Sequence, residues 1–405
     1  MPSNGYFWLQ TTGSYTGLNV EVDNVSVVEV TDDTDLPRID FTDGTGSLLL
    51  EPQRTNLFTY SQDASQWGYS GITTPVSQDG SINNPDGVSG ANEIIPTSGS
   101  ALKYFFPNNT YSHTSGDTYS FSVFAKANEL KYIQITGNSN AFGSGQYANF
   151  DLENGVIGTY AGATSGTTPK IEDYGNGWYR CQFQVNASAT TTQNIFLIAI
   201  VPNSSASRLQ SLNPNGTDSL YVYGFQAELG SYATSYIPTD GSTVTRSADV
   251  ANNSGNADLF NDSEGVLYAE ISALANDCTN RLISLSDGTA DERLFLQYST
   301  TDNRLQFLVK NSGSTQCNII YDASDLTAVH KIAAKYKAND FALWVDGVEV
   351  GTDTSGNVAS GLSKLQFDRG YSGLPFYGKT KGIYVFNEAL TDDELQQLTG
   401  PEYNS

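Results

Sequence analysis

The chain has 405 residues, with 20 Lys+Arg against 44 Asp+Glu and a formal net charge of -24. That length predicts two or three domains at roughly 150 residues each, and 38% hydrophobic with 12% aromatic residues excludes a disordered chain. The acidity argues against a general affinity for nucleic-acid phosphates or anionic headgroups, and no apolar run approaches the roughly 20 residues of a membrane-inserted helix.

The opening MPSNGYFWLQTTG has no basic segment followed by an apolar one, so no secretory signal is read there. Residues 1–35 are too few for a domain and read as an extension. Within them GLNVEVDNVSVVEV has the pattern of a lone strand. Such a strand must pair its backbone somewhere: as a remnant of a lost preceding domain, as an addition to a neighbouring chain, or against its own domain.

Residues 36–246 form a first block of short runs rich in β-branched and aromatic residues, among them YSFSVFAKA, KYIQITG, WYRCQFQV, FLIAIV and LYVYGFQAEL. In FDLENGVIGTY, Asn154-Gly155 predicts a two-residue hairpin turn. In WYRCQFQV, Cys181 shares an alternating face with Tyr179, Phe183 and Val185, which predicts a free, buried cysteine. The small, polar run between 247 and 264 reads as a linker. Residues 265–405 continue with GVLYAEISAL, RLFLQYS and RLQFLVKN, and with a second hairpin turn at Asp346-Gly347. Near the end, Thr391 with Glu394 forms a capping box, Leu395 and Leu398 an apolar stripe, and Gly400-Pro401 a stop, predicting a short helix latched on the final sandwich. The fold class is all-β: two tandem β-sandwich or jelly-roll domains with an N-terminal extension strand and a short C-terminal helix. Cys278 and Cys317 fall in one domain, where they either pair or stay reduced.

PRIDFTDGTGSLLLEPQRTNLFTYSQD and GFQAELGSYATSYIPTDGSTVTRSADV resemble the opening and closing signatures of carbohydrate-binding-module-like jelly rolls in tailed-phage structural proteins. DNVSVVEVTDDTDLPRIDF resembles the junction that joins one such jelly roll to the next. KIAAKYKANDFALWVDGVEVGTDTSG and FYGKTKGIYVFNEALTDDELQQLTG resemble the concanavalin A-like lectin/glucanase superfamily, in its laminin-G and pentraxin-like branch. The resemblance implies a non-enzymatic virion protein, part of a tail fibre, spike or capsid-attached fibre, assembled in the host cytoplasm and displayed extracellularly. It also implies a homotrimer that contacts other virion proteins and binds host-surface polysaccharide. A purely architectural decoration or adaptor protein competes with this reading, and a polysaccharide depolymerase is a remote third.

Catalysis finds no support. Retaining glycosidases place two carboxylates about 5 to 5.5 Å apart, which on a strand of this fold takes an E-x-D-x-E type of pattern, and the second block has none. Glu270 stands alone, and Asp291 and Glu292 are adjacent and so point to opposite faces. His113 and His330 read as surface or turn histidines. The resemblance to laminin-G-like domains makes Ca2+ the candidate cofactor, with Asp287, Asp291 and Asp340 as hard oxygen ligands; the competing reading is that these are turn residues. For glycan binding, where a ring stacks on a sugar's C–H face, the candidates are Trp67, Tyr69, Trp344, Tyr371, Phe376 and Tyr377. Core packing competes for Trp344 and Trp178, and subunit contact or loop anchoring for the others.

Overall fold

Alternation of apolar and polar side chains organises both sandwiches in the computed structural model, which describes residues 38–401 apart from 43, 74–75, 165–167 and 195. The predicted extension strand within residues 1–35 lies outside the described residues. Residues 34–405 hold one compact unit with two β-sandwiches. In the first, a sheet ordered Lys170–Asp173, Trp178–Asn186, Thr118–Ala127, Leu220–Leu229, Ser89–Ile94 and Val76–Asn83 packs on a second six-stranded sheet. Phe121, Val123, Cys181, Phe183, Val185, Val222 and Ala227 fill the core between them. Cys181 is a buried free thiol on the predicted face.

One irregularity keeps this pattern in phase. The Leu220–Leu229 strand is bulged between Tyr223 and Gln226, at Gly224 with φ +60. A Cβ there would lie 2.9 Å from the Phe124 ring. The extra residue turns Phe225 into the core and Gln226 and Glu228 to the opposite face.

The second sandwich pairs a five-stranded with a seven-stranded sheet around Leu267, Ile283, Leu296, Phe307, Ile332 and Leu343. Here the expected boundary at 36 moves. Arg38–Asp40 and Ser47–Leu50 join the seven-stranded sheet, with Leu48 opposite Thr380 and Leu50 opposite Gly378. The chain therefore begins its described part in the second sandwich, builds the first, and returns. The expected linker is also packed: Phe260 lies in the second core, and Ser254 bridges Leu365.

The two crossings between sandwiches run side by side, with Arg54–Asn56 paired to Val244–Arg246. Glu51, buried beside them, takes Arg38 at 2.5 Å and Arg246 at 2.5 Å on one oxygen and the Ser235 N–H at 2.8 Å on the other. Burial opposes ionisation of Glu51, yet the Arg246 and Arg38 guanidiniums hold its carboxyl below the ordinary value. The two segments resembling jelly-roll signatures thus meet at a structural lock.

The turn at Asp346-Gly347 has two residues with φ of 50° and 83° between paired Val345 and Val348, as expected. The turn at Asn154-Gly155 does not. Asp151 pairs with Val156, so four residues, Leu152 to Gly155, form the loop, and the Asp151 carboxylate accepts the Glu153 and Asn154 N–H groups inside it. The helix Asp392–Thr399 carries the predicted capping box. It buries Leu395 and Leu398 on Val266, Tyr268 and Trp344.

Both histidines are buried, contrary to the surface expectation. His113 packs edge-on against Tyr119 and Phe142. His330 bonds Asp346 through Nδ1 at 2.6 Å and the Asp325 carbonyl through Nε2 at 2.9 Å. The Asp346 bond raises the His330 pKa above 6.5. Burial pushes the Asp346 carboxyl up, but its bonds to His330 and the Lys331 N–H prevail and lower it below 3.8. The His330 contribution is complete below its unfolded pKa and fades as pH rises through the raised folded value. The Asp346 contribution is present above its own unfolded pKa and is lost as pH falls through the lowered one. His330→Gln is accordingly expected to flatten the fall of the denaturation midpoint as pH rises above about 6.5, read by tryptophan fluorescence.

Candidate functional site: a polar cleft between the sandwiches

The strand Trp178–Asn186 sends Cys181, Phe183 and Val185 into the core and Arg180, Gln182 and Gln184 to the other side. With Ser120, Ser122, Gln226 and Glu228 they make a polar face on the sheet. The segment Ser231–Ser235 folds over part of it. Arg180 Nη2 donates to the Thr234 carbonyl at 2.6 Å and to Ser122 Oγ at 3.0 Å. Gln226 donates to the Thr234 carbonyl at 3.1 Å and accepts from the Ile237 N–H at 2.6 Å. Glu228 accepts from the Thr234 N–H and hydroxyl, and burial raises its carboxyl above the ordinary value.

The uncovered part of the face opens into a cleft of about 540 Å3. Lys170, Glu172, Tyr174 and Gln184 line one wall, and Asn276, Asn303 and Thr327 of the second sandwich line the other. The volume suits an organic ligand of a few rings. Most polar groups here are already engaged: Gln182 with Glu172 at 2.6 Å, Asn303 with the Leu326 N–H at 3.1 Å, Asp40 with Lys379 at 2.9 Å. The Gln184 amide lines the cleft, 3% exposed, with no side-chain hydrogen bond among the described residues. Facing the cleft, it offers a ligand two donors and an acceptor. Tyr174, at 44% exposure, meets Phe124 edge-on at 4.9 Å, which leaves ring surface open. An amide and an aromatic face in one groove can bond hydroxyls and cover a C–H face.

The expected glycan residues lie elsewhere and apart. Trp67 is 5% exposed in the first core, 4.0 Å from Phe225 and stacked on Phe105 at 6.1 Å, with Nε1 donating to the Tyr60 carbonyl. Core neighbours occupy the ring, so it offers no platform. Trp344 faces away from the second core as read, but the C-terminal helix covers it. Trp178 is buried as expected of a packing residue. Tyr69 is exposed on the first sandwich's other sheet. Tyr371 and Tyr377 lie on the loop leading to the last strand; Tyr371 carries two guanidiniums, and Tyr377 packs on the second core. Phe376 is buried there.

Two of the three carboxylates named for calcium have partners within the chain. Asp287 accepts the Thr289 N–H at 2.7 Å, and Asp340 pairs with Lys335 at 2.8 Å. Asp291 contributes its carbonyl to the Gly313 N–H. Among the described residues no three His, Cys, Asp or Glu side chains gather to hold a metal ion. Cys278 is exposed and Cys317 buried, both free thiols, so they do not pair.

Sequence reasoning missed Gln184 and Tyr174. The signal was present: the alternation that buries Cys181 also puts Arg180, Gln182 and Gln184 together on the reverse face.

Residues 267–396 match a family described as the concanavalin A-like lectin/glucanases superfamily. That stretch covers most of the second sandwich. No curated protein matches the chain. Among solved structures the chain is similar to the CBM40 module of Ruminococcus gnavus IT-sialidase, bound there to α2,6-sialyllactose, at 17% identity and TM-score 0.32 over 37% of this chain and 94% of that one. It is similar to the leech intramolecular trans-sialidase at 18% identity and TM-score 0.31, over 39% of this chain and 27% of that one. Domains LG4-5 of the mouse laminin α1 chain give 11% identity and TM-score 0.26, over 83% of this chain and 91% of that one. At these TM-scores the three likenesses carry no argument about function.

Proposed function

We propose that this protein is a non-catalytic glycan-binding protein whose ligand lies in the cleft between the sandwiches. The observation that carries the reading is that the Gln184 amide and the half-exposed Tyr174 ring line the same cleft. The lectin-type family match of the second sandwich supports the same class of ligand. The finer setting rests on the sequence resemblance: a tailed-phage fibre, spike or capsid-fibre component, trimeric, joined to other virion proteins and displayed toward host-surface polysaccharide.

The test is binding of the labelled full chain to an array of bacterial surface glycans and to whole cells, with free oligosaccharides as competitors. Saturable binding that a defined oligosaccharide abolishes is the expected result. A folded protein that binds no glycan and no cell would leave the architectural reading in its place.

A further inference from the structure

The five-stranded sheet of the second sandwich turns a row of cations outward. Leu285, Leu294 and Val309 belong to the core, so their neighbours Ser286, Arg293 and Lys310 point away from it. The register sets Arg293 opposite Lys310, Ser286 opposite Arg293, and Ser286 opposite Lys364. One rung of four strands therefore reads Lys310, Arg293, Ser286, Lys364. Directly opposed like charges destabilise a sheet.

The loop after Lys364 adds a fourth cation. Arg369 lies 4.3 Å from the Tyr371 ring centroid, and Arg293 lies 4.9 Å from the same ring and 4.9 Å from Phe295. Two guanidiniums share one aromatic ring. Arg293 also donates to the Arg369 carbonyl at 2.5 Å, which fixes the pair together. Burial and the neighbouring Arg369 both weigh against the charge of Arg293.

Among the described residues no carboxylate forms a direct ion pair with this corner. None of the four cations has a carboxylate oxygen within 4.0 Å among the described residues, whereas Arg38, Arg246, Arg281 and Lys335 each do. Nearby carboxylates are turned to loop amides: Glu292 accepts the Ser312 and Ser360 N–H groups, and Asp368 accepts the Gly370 N–H and the Asn252 amide. Asp291 is near enough to favour the charged form of Arg293 without pairing. In a chain with 44 acidic and 20 basic residues, four unpaired cations in one place run against composition. The loop that carries Arg369 and Tyr371 is also strained, with Ser372 at φ +100 and Leu374 at φ +55.

We propose that this corner is an anion-binding subsite that takes the carboxylate groups of an acidic polysaccharide, with Arg369 and Lys310 as direct contacts. A guanidinium with a neighbouring ammonium matches a carboxylate or sulfate through charge-assisted hydrogen bonds. The choice of a sugar carboxylate rests on the glycan-binding reading above, while the cluster itself lies outside the cleft. The net charge of -24 opposes a polyanion at long range, and at about 0.15 M salt charges beyond roughly 8 Å are screened, so the contact groups decide.

The experiment is calorimetric titration of the full chain at that salt with oligogalacturonate, dextran sulfate and neutral dextran. It compares the wild type with Arg369→Ala, Arg369→Lys, Lys310→Ala and, as a distant control, Lys126→Ala. Oligogalacturonate is expected to bind. Arg369→Ala and Lys310→Ala should each weaken it about tenfold or more, as loss of a charged hydrogen bond predicts. Arg369→Lys should restore part of that loss, and Lys126→Ala should change nothing. Circular dichroism confirms folding, and Lys310, half-buried on the sheet surface, provides the readout should the loop variant fail. Absence of oligogalacturonate binding, or binding indifferent to both alanine variants, overturns the subsite. Tighter binding of dextran sulfate overturns the assignment to carboxylates. Neutral glycans that bind while acidic ones do not would refute this subsite alone and leave the cleft reading standing.

Discussion

Glu51→Ala is expected to destabilise the protein by about 3–5 kcal/mol, the cost of breaking a buried ion pair from one side. The carboxylate holds Arg38 and Arg246 at 2.5 Å each, and Arg246 is 1% exposed. Removing it leaves the buried Arg246 guanidinium without its ion-pair partner and frees the Ser235 N–H. The Glu51 backbone is tied to Asp249, whose carboxylate accepts the Glu51 N–H at 2.7 Å. Damage should therefore spread to both crossings between the sandwiches. The check is the urea midpoint of the full chain, with limited proteolysis to locate opening near residues 246–254. A midpoint within experimental error of wild type would remove the lock from the account. Because burial opposes ionisation of Glu51 and the arginines favour it, with a net lowering, the contribution is lost as pH falls through the folded pKa.

Trp67→Ala carries the second large effect, about 3–5 kcal/mol, as expected for a large aromatic removed from a packed core. Phe105 and Phe225 would face the void, and the Tyr60 carbonyl would lose its indole donor. The same variant separates the two readings of this tryptophan. A core residue costs stability and leaves glycan affinity of the folded fraction unchanged. A binding residue would cost affinity with little change in the denaturation midpoint.

Local features were legible and distant ones were not. The capping box at Thr391 and Glu394 and the turn at Asp346-Gly347 depend on neighbours within four residues, and both form as read. The Asn154-Gly155 turn lengthened because Asp151, three residues before Asn154, supplies bonds that hold a four-residue loop. The strand Ser47–Leu50 was placed in the wrong sandwich because its partner, Gly378–Phe386, is remote in sequence. No local signal distinguishes the two sheets it could join.

The aromatic residues show a related limit. A tryptophan in SQWGYSG reads equally as a ligand platform, a subunit contact or a loop anchor, and only the position of Phe105 and Phe225 shows it to be a core residue. Gln184, by contrast, was readable from period-two alternation alone, since a strand with Cys181, Phe183 and Val185 in the core must present Arg180, Gln182 and Gln184 opposite. What alternation does not give is the second wall. Asn276, Asn303 and Thr327 reach the cleft only because the chain returns to a sandwich it began before the first was built.

The most direct test of the cleft is a titration of wild type and Gln184→Leu with whichever neutral oligosaccharide the array identifies. The substitution keeps similar bulk and removes the amide, so the denaturation midpoint should hold while affinity falls about tenfold, the scale of one lost buried hydrogen bond to a ligand. Tyr174→Ala should add a further loss. Equal affinity for wild type and Gln184→Leu, both folded, would contradict the assignment of the cleft as the glycan site.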